Sequence, residues 1–168
     1  MNRNDAKALA LHHMGLHGLT RGWGWTFQFN RARTAAGQCR WYRGRIGGEI
    51  RLSGPFVDLN EQPAVEDTIL HEIAHALAGR QAGHGPLWKA ACRTIGARPE
   101  RTICASQIVA PARQWHGSCP SCGQDARPRH RKPRKPLVCG VCYRKAQKDP
   151  FGGMFTNIPP IVWRKETA

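Results

Sequence analysis

Thr68-Ile69-Leu70-His71-Glu72-Ile73-Ala74-His75-Ala76-Leu77 is the stretch around which the rest of the chain is read. Its centre, HEIAH, matches the pattern H-E-x-x-H. On a helix, residues four apart lie on one face a turn apart, so His71 and His75 can turn nitrogens toward one ion. Glu72 is rotated about 100° from His71 around the axis, placed to reach a water on that ion without ligating it. Two neutral imidazoles suit Zn²⁺, and a carboxylate beside a zinc-bound water is the general base of metal-assisted hydrolysis.

The flanking residues make the stretch a helix. From Pro63 to Leu77 the apolar positions are Val65, Ile69, Leu70, Ile73, Ala74 and Leu77, the spacing of a helix with one buried face. Pro63 suits a first turn, Glu66 and Asp67 fall early where the helix dipole favours anions, and Gly79 can end the element.

A catalytic zinc usually has three protein ligands and one open position. Six residues past His75 stands Gln81, which cannot serve. Gly83-His84-Gly85-Pro86-Leu87-Trp88 follows, and His84 lies nine residues after His75. No straight helix spans nine residues and returns to the same ion, so the chain must turn, and Gly79, Gly83 and Gly85 permit this. Pro86 then opens a second helix, expected over 86–95 and stopped by Gly96. The third ligand is therefore His84, presented from a turn, or Glu100, the next carboxylate after that helix.

The 168 residues fit one domain, or one domain with a small appendage. The net charge of +15 is uneven: residues 1–60 carry +6, residues 61–112 are neutral, and residues 113–168 carry +9. Basic flanks around a neutral helix imply a polyanionic partner, with nucleic acid foremost. Seven cysteines, four of them in CxxC pairs, point to metal binding in a reducing compartment rather than to disulfides. No run approaches the ~18–20 apolar residues of a membrane span, and residues 6–19 do not resemble a signal peptide. A cytoplasmic location without membrane attachment is expected.

Upstream, Asn4 or Asp5 can cap a first helix, and Trp25 to Asn30 alternates apolar and polar as a half-buried strand does. Cys39–Arg45 and Glu49–Leu52 are further strand candidates. The three should form a small antiparallel sheet under the HEIAH helix, an α+β arrangement. Gly54-Pro55 reads as a break after the third strand. Cys39, Cys92 and Cys104, and Trp23, Trp25, Trp41 and Trp88, read as core. Residues 98–114 read as a linker, extended near Thr102 to Val109.

Cys119-Pro-Ser-Cys122 and Cys139-Gly-Val-Cys142 are separated by sixteen residues, the spacing of a structural four-thiolate zinc site. Between the knuckles runs an arm with Arg127, Arg129, Arg131, Lys132, Arg134 and Lys135, interrupted by prolines. Six cations in nine residues must project into solvent, where they would contact phosphates with little sequence preference. Trp115 and Tyr143 are candidates for base stacking or packing. The tail from 149 to 168 is apolar in part but shows no period.

HEIAHAL followed by GHGPLW resembles the metalloprotease core of the SprT-like (Spartan) family, and the similarity extends to Thr34–Arg40 and to a C-terminal four-cysteine ribbon. The resemblance implies a zincin-like core over 1–112, a zinc ribbon over 113–148, and a tail. It implies His71, His75 and His84 as ligands of a catalytic zinc, Glu72 as the base, and Cys119, Cys122, Cys139 and Cys142 around a structural zinc. The implied activity is a zinc endopeptidase acting on DNA-bound or DNA-crosslinked protein, in a DNA-repair setting. The rival expectation is a DNA-binding or transcription-associated adaptor that keeps the fold without proteolysis.

Overall fold

Asn2 caps the first helix, its side-chain oxygen accepting from the Asp5 backbone N–H at 2.9 Å, and α1 runs Arg3–Leu16. The cap lies two residues before Asn4 and three before Asp5, the expected ones. A computed structural model describes residues 1–102, 108–148 and 158–166 of the protein, so Cys104 and most of the segment expected to be extended fall outside it. The chain divides into two units, Met1–Pro111 and Ala112–Ala168.

In the first unit a single 3-10 turn, Arg21–Trp23, leads into β1, Trp25–Asn30. Strands β2, Gly37–Trp41, and β3, Gly48–Ser53, form a hairpin. The sheet order is β1-β3-β2. The sheet is mixed rather than antiparallel throughout: β3 lies centrally, antiparallel to β2 but parallel to β1. The tight hairpin forces β2 and β3 to oppose each other, and β3 then reaches β1 in the same direction as β1 runs.

Alternation along the strands separates the two faces. Trp25, Ile50 and Leu52 enter the core with Ala6, Ala10 and Met14 of α1. On the opposite face Gln28, Gln38 and Arg40 are exposed, and buried Glu49 is paired with Arg51. Gly54–Leu59 is a short helix, α2, where a break was expected. Ser53 explains it: its Oγ accepts from the Phe56 N–H at 3.1 Å, and Pro55 in the first turn needs no donor partner.

The HEIAH segment lies in α3, Gln62–Ala78, which packs Val65, Ile69 and Ile73 into the core. Full burial of each such side chain contributes about 1.5–3 kcal/mol. Gly79, at φ 90°, ends α3, and α4 follows over Pro86–Thr94. Two cross-ties fix this region. Arg98 donates from Nε and Nη2 to the Asp67 carboxylate at 3.0 and 2.8 Å. Asn60, buried, donates to the carbonyls of Phe56 and Val109 and accepts from the Val109 N–H at 2.7 Å.

In the second unit β4, Trp115–Ser118, lies between β5, Asp125–Arg129, and β6, Val162–Lys165, antiparallel to both. Part of the segment read as a tail thus supplies the third strand of this sheet. Helix α5, Gly140–Gln147, begins inside the second CxxC pair. The protein is α+β, with small sheets, helices packed on the first of them, a histidine triad and a four-cysteine cluster compatible with a zinc ribbon. Among the described residues no helix is long and apolar enough to cross a membrane.

Candidate metal centre and active site

Helix α3 turns His71 and His75 to one side, their ring centroids 5.0 Å apart. The turn after Gly79 carries His84 back to them. His84 Nε2 lies 3.2 Å from His71 Nε2 and 3.1 Å from His75 Nε2. The turn is held by the Ala82 and Gly85 N–H groups, which donate to the carbonyls of Gly79 and Ala82. Of the two candidates for a third ligand, His84 joins the cluster, whereas Glu100 is exposed and outside it.

A buried floor orients the rings. Trp88, 0% exposed, places its indole 4.8, 5.4 and 4.7 Å from the rings of His71, His75 and His84. Its N–H has no hydrogen-bond partner among the described residues. Leaving such a donor unmet costs about 1–3 kcal/mol. The sequence marks Trp88 as core but not as the surface that orients all three histidines.

The donor set fits a divalent cation. A proton on His84 Nε2 could be shared between two neighbours, but three imidazole nitrogens gathered this closely are better met by a positive ion. Zn–N bonds of about 2.0–2.1 Å in a tetrahedron place nitrogens ~3.3–3.4 Å apart, close to the spacing found. Burial, and then the other imidazoles, push His71 and His75 down to about 4, with Asp67 pulling His71 the other way. Burial and then nearby Arg101 lower His84 as well. All three rings are neutral at pH 7, with lone pairs free to bind metal.

Glu72, next to His71 on α3, is 7% exposed and packs against the edge strand β2. A Cβ on Gly37 would stand 2.7 Å from both Cγ and Oε1 of Glu72, so only glycine lets the strand lie this close. Burial raises the carboxyl to about 7, opposed by the backbone N–H of Cys39, which donates to it. The sequence marks Cys39 as the start of a strand, whereas the strand begins at Gly37 and ends at Trp41. The bearing of Gly37 and Cys39 on Glu72 depends on which strand forms the sheet edge, and local alternation does not encode that.

These directions fix a pH response. An ordinary histidine protonates near 6.5, whereas His71 and His75 hold off protonation to about 4. Between those values the unfolded chain binds more protons, so these two groups make the metal-free fold more stable as pH rises through the window. Glu72 acts oppositely: its raised value makes stability fall as pH climbs from 4.5 to about 7. Metal held by the triad should survive acidification through pH 6.5 and be released only toward about pH 4. A Co²⁺ absorbance titration checks this, and a release midpoint near 6.5 would contradict it.

The second cluster is closed by sulfur. Cys119 Sγ lies 3.8 Å from Cys142 Sγ, and Cys122 Sγ lies 3.7 Å from Cys139 Sγ. A tetrahedron with Zn–S bonds of about 2.3 Å has edges of ~3.8 Å, so these thiols fit a four-thiolate ion. Gly123, at φ 71°, lets the first knuckle turn back, where its N–H donates to the Cys119 carbonyl at 2.9 Å. Burial opposes ionisation of Cys119, but the N–H groups of Cys122 and Ser121 outweigh it and bring the thiol to about 7.

Arg127, Arg129, Arg131, Lys132, Arg134 and Lys135 are all exposed, and none has an acidic partner among the described residues. Lys132 stands 5.7 Å from the ring of half-buried Trp115, and Arg129 stands 5.8 Å from that of Trp163. Tyr143 is exposed on α5.

The sequence model of the SprT-like family matches residues 9–107, more than half the chain and the whole of the histidine site. The chain belongs to the SprT-like family. Protein SprT of Proteus mirabilis (strain HI4320) is 36% identical over 74 residues, 42% of this chain and 42% of that protein. The chain thus spans less than half of that relative's length. Within this SprT-like chain the family match ends before the four-cysteine unit begins.

Proposed function

We propose that the protein is a zinc-dependent endopeptidase that cleaves proteins held on DNA, whether bound or crosslinked. The observation that carries the proteolytic part is the approach of His84 Nε2 to within 3.2 Å of His71 Nε2 and 3.1 Å of His75 Nε2, the latter two on the helix that also bears Glu72. His71, His75 and His84 would hold the ion. When bound, zinc supplies a Lewis acid and lowers the pKa of its water.

The remaining chemistry falls to the chain's own groups. The Glu72 carboxylate takes a proton from the attacking water and delivers it to the departing amine. Its raised value, about 7, suits both acceptance and return of that proton near neutral pH. The Cys39 N–H and the close approach of Gly37 restrain the carboxylate, and Trp88 restrains the three imidazoles. Cys119, Cys122, Cys139 and Cys142 would bind a second zinc that holds the ribbon together.

The DNA part rests on charge. Six exposed cations, without acidic partners among the described residues, form one arm of the second unit, and such a surface binds phosphates with steep salt dependence. DNA would then present its attached proteins at high local concentration.

The direct test is cleavage by the full chain of a protein crosslinked to DNA, against the same protein free, with and without a chelator. Chelator-sensitive cleavage favouring the crosslinked form is expected. Absence of cleavage of either form would leave a non-proteolytic DNA-binding adaptor. Replacing Arg129, Arg131, Lys132, Arg134 and Lys135 by Ser should weaken DNA binding and lower its log–log salt slope by about 0.9 per lost phosphate contact. An unchanged slope would remove the arm from the reading.

A further inference from the structure

Trp23 was expected in the core, yet it is 67% exposed at the end of the 3-10 turn. Ile46, in the β2–β3 turn, is 80% exposed. The two belong to the same end of the first sheet. A Cβ on Gly24 would stand 2.6 Å from the Ile46 carbonyl oxygen, and the Gly48 N–H donates to the Gly24 carbonyl at 3.2 Å. Glycine at 24 and 47 lets the two backbones touch, which brings the segments bearing Trp23 and Ile46 together.

The charges around this end are of one sign. From residue 6 to residue 48 the chain contains no Asp or Glu. Arg21, Arg43 and Arg45 are exposed on the two turns, without acidic partners among the described residues. Arg45 lies over the Tyr42 ring, 3.9 Å from its centroid, and the Tyr42 hydroxyl is 3.0 Å from Thr26 Oγ1. Beside these turns a cleft of about 480 Å³ opens between α1 and β1. Its lining combines Met14, Trp25 and Phe27 with the cations Lys7 and Arg21.

We propose that this end of the first unit, with Trp23 as its stacking platform and Arg21, Arg43 and Arg45 as its phosphate contacts, binds single-stranded nucleic acid. An exposed aromatic ring among unpaired cations, with an apolar seat nearby for an unstacked base, is what single strands require. A duplex keeps its bases stacked inside and has no use for the ring. The site lies on the unit that holds the histidine triad and needs no part of the basic arm. It extends the nucleic-acid part of the proposed function, but stands or falls separately from that arm.

The experiment uses the full chain with the five arm cations replaced by Ser, so that binding by the first unit is read alone. A fluorescein-labelled oligothymidine of about 16 nucleotides is titrated by anisotropy. Trp23→Ala should weaken binding about five- to a hundred-fold, and Trp23→Phe should keep most of it. Arg43→Ser with Arg45→Ser should lower the salt slope by about 0.7 per cation. Unchanged affinity for Trp23→Ala together with an unchanged slope for the double variant would overturn the proposal. So would a loss confined to phosphatidylserine vesicles, which would mark a membrane-surface contact. If arm-neutralised and parent chains bind alike while Trp23→Ala weakens both, the arm is discarded and this surface is upheld.

Discussion

Glu72→Gln should lower peptide cleavage by about 10²–10⁴-fold, the usual contribution of a positioned general base, while the metal content stays unchanged. The substitution is nearly isosteric, and the amide oxygen can still accept from the Cys39 N–H. What disappears is the capacity to take a proton. His71, His75 and His84 meet through their own Nε2 atoms and do not depend on the carboxylate. Metal analysis beside a cleavage assay separates the two effects. Wild-type rates in the variant would end the hydrolase reading, and loss of metal would recast Glu72 as a structural group.

Cys119→Ser should unfold the second unit while sparing cleavage of a DNA-free peptide. That unit has few fully buried side chains among its described residues, Cys119 and Cys139 foremost. With so little apolar burial, most of its folding free energy must come from metal, worth about 10–16 kcal/mol for small zinc modules near pH 7. Amide resonances of β4, β5 and α5 should collapse toward random-coil positions, and DNA affinity through the arm should fall with them. Dispersed resonances in a zinc-free variant would show that the strands carry the unit without the ion.

The parts of the fold that announce themselves in the sequence are those fixed by local chemistry. The α3 helix follows from its 3.6-residue period, Pro63 and Gly79, and the paired CxxC turns from their spacing. The α2 helix was hidden because Gly54-Pro55 reads as a break unless Ser53 is recognised as a cap. Strand direction was hidden for a different reason. Alternation in Trp25–Asn30 declares a strand, but its parallel partnership with β3 is a matter of chain path.

Trp23 shows the limit of residue-type arguments. Its size favours burial, yet Thr20 and Gly24 set a turn that leaves it outside. Similarly, Val162–Lys165 is too short for its alternation to stand out. Its place beside β4 depends on Gly117, where a Cβ would meet Ile161 and Trp163 at 2.7 and 2.9 Å.

The third imidazole of the triad comes from outside the helix that carries the other two, on a turn built around Gly79, Gly83 and Gly85. A bound cation would therefore act as a buckle between α3 and the start of α4, tying together pieces of backbone that differ in stiffness. Withdrawal of the ion would unfasten that loop as well as remove the reactive centre. Competence for catalysis and local rigidity would then rise and fall together with the supply of zinc.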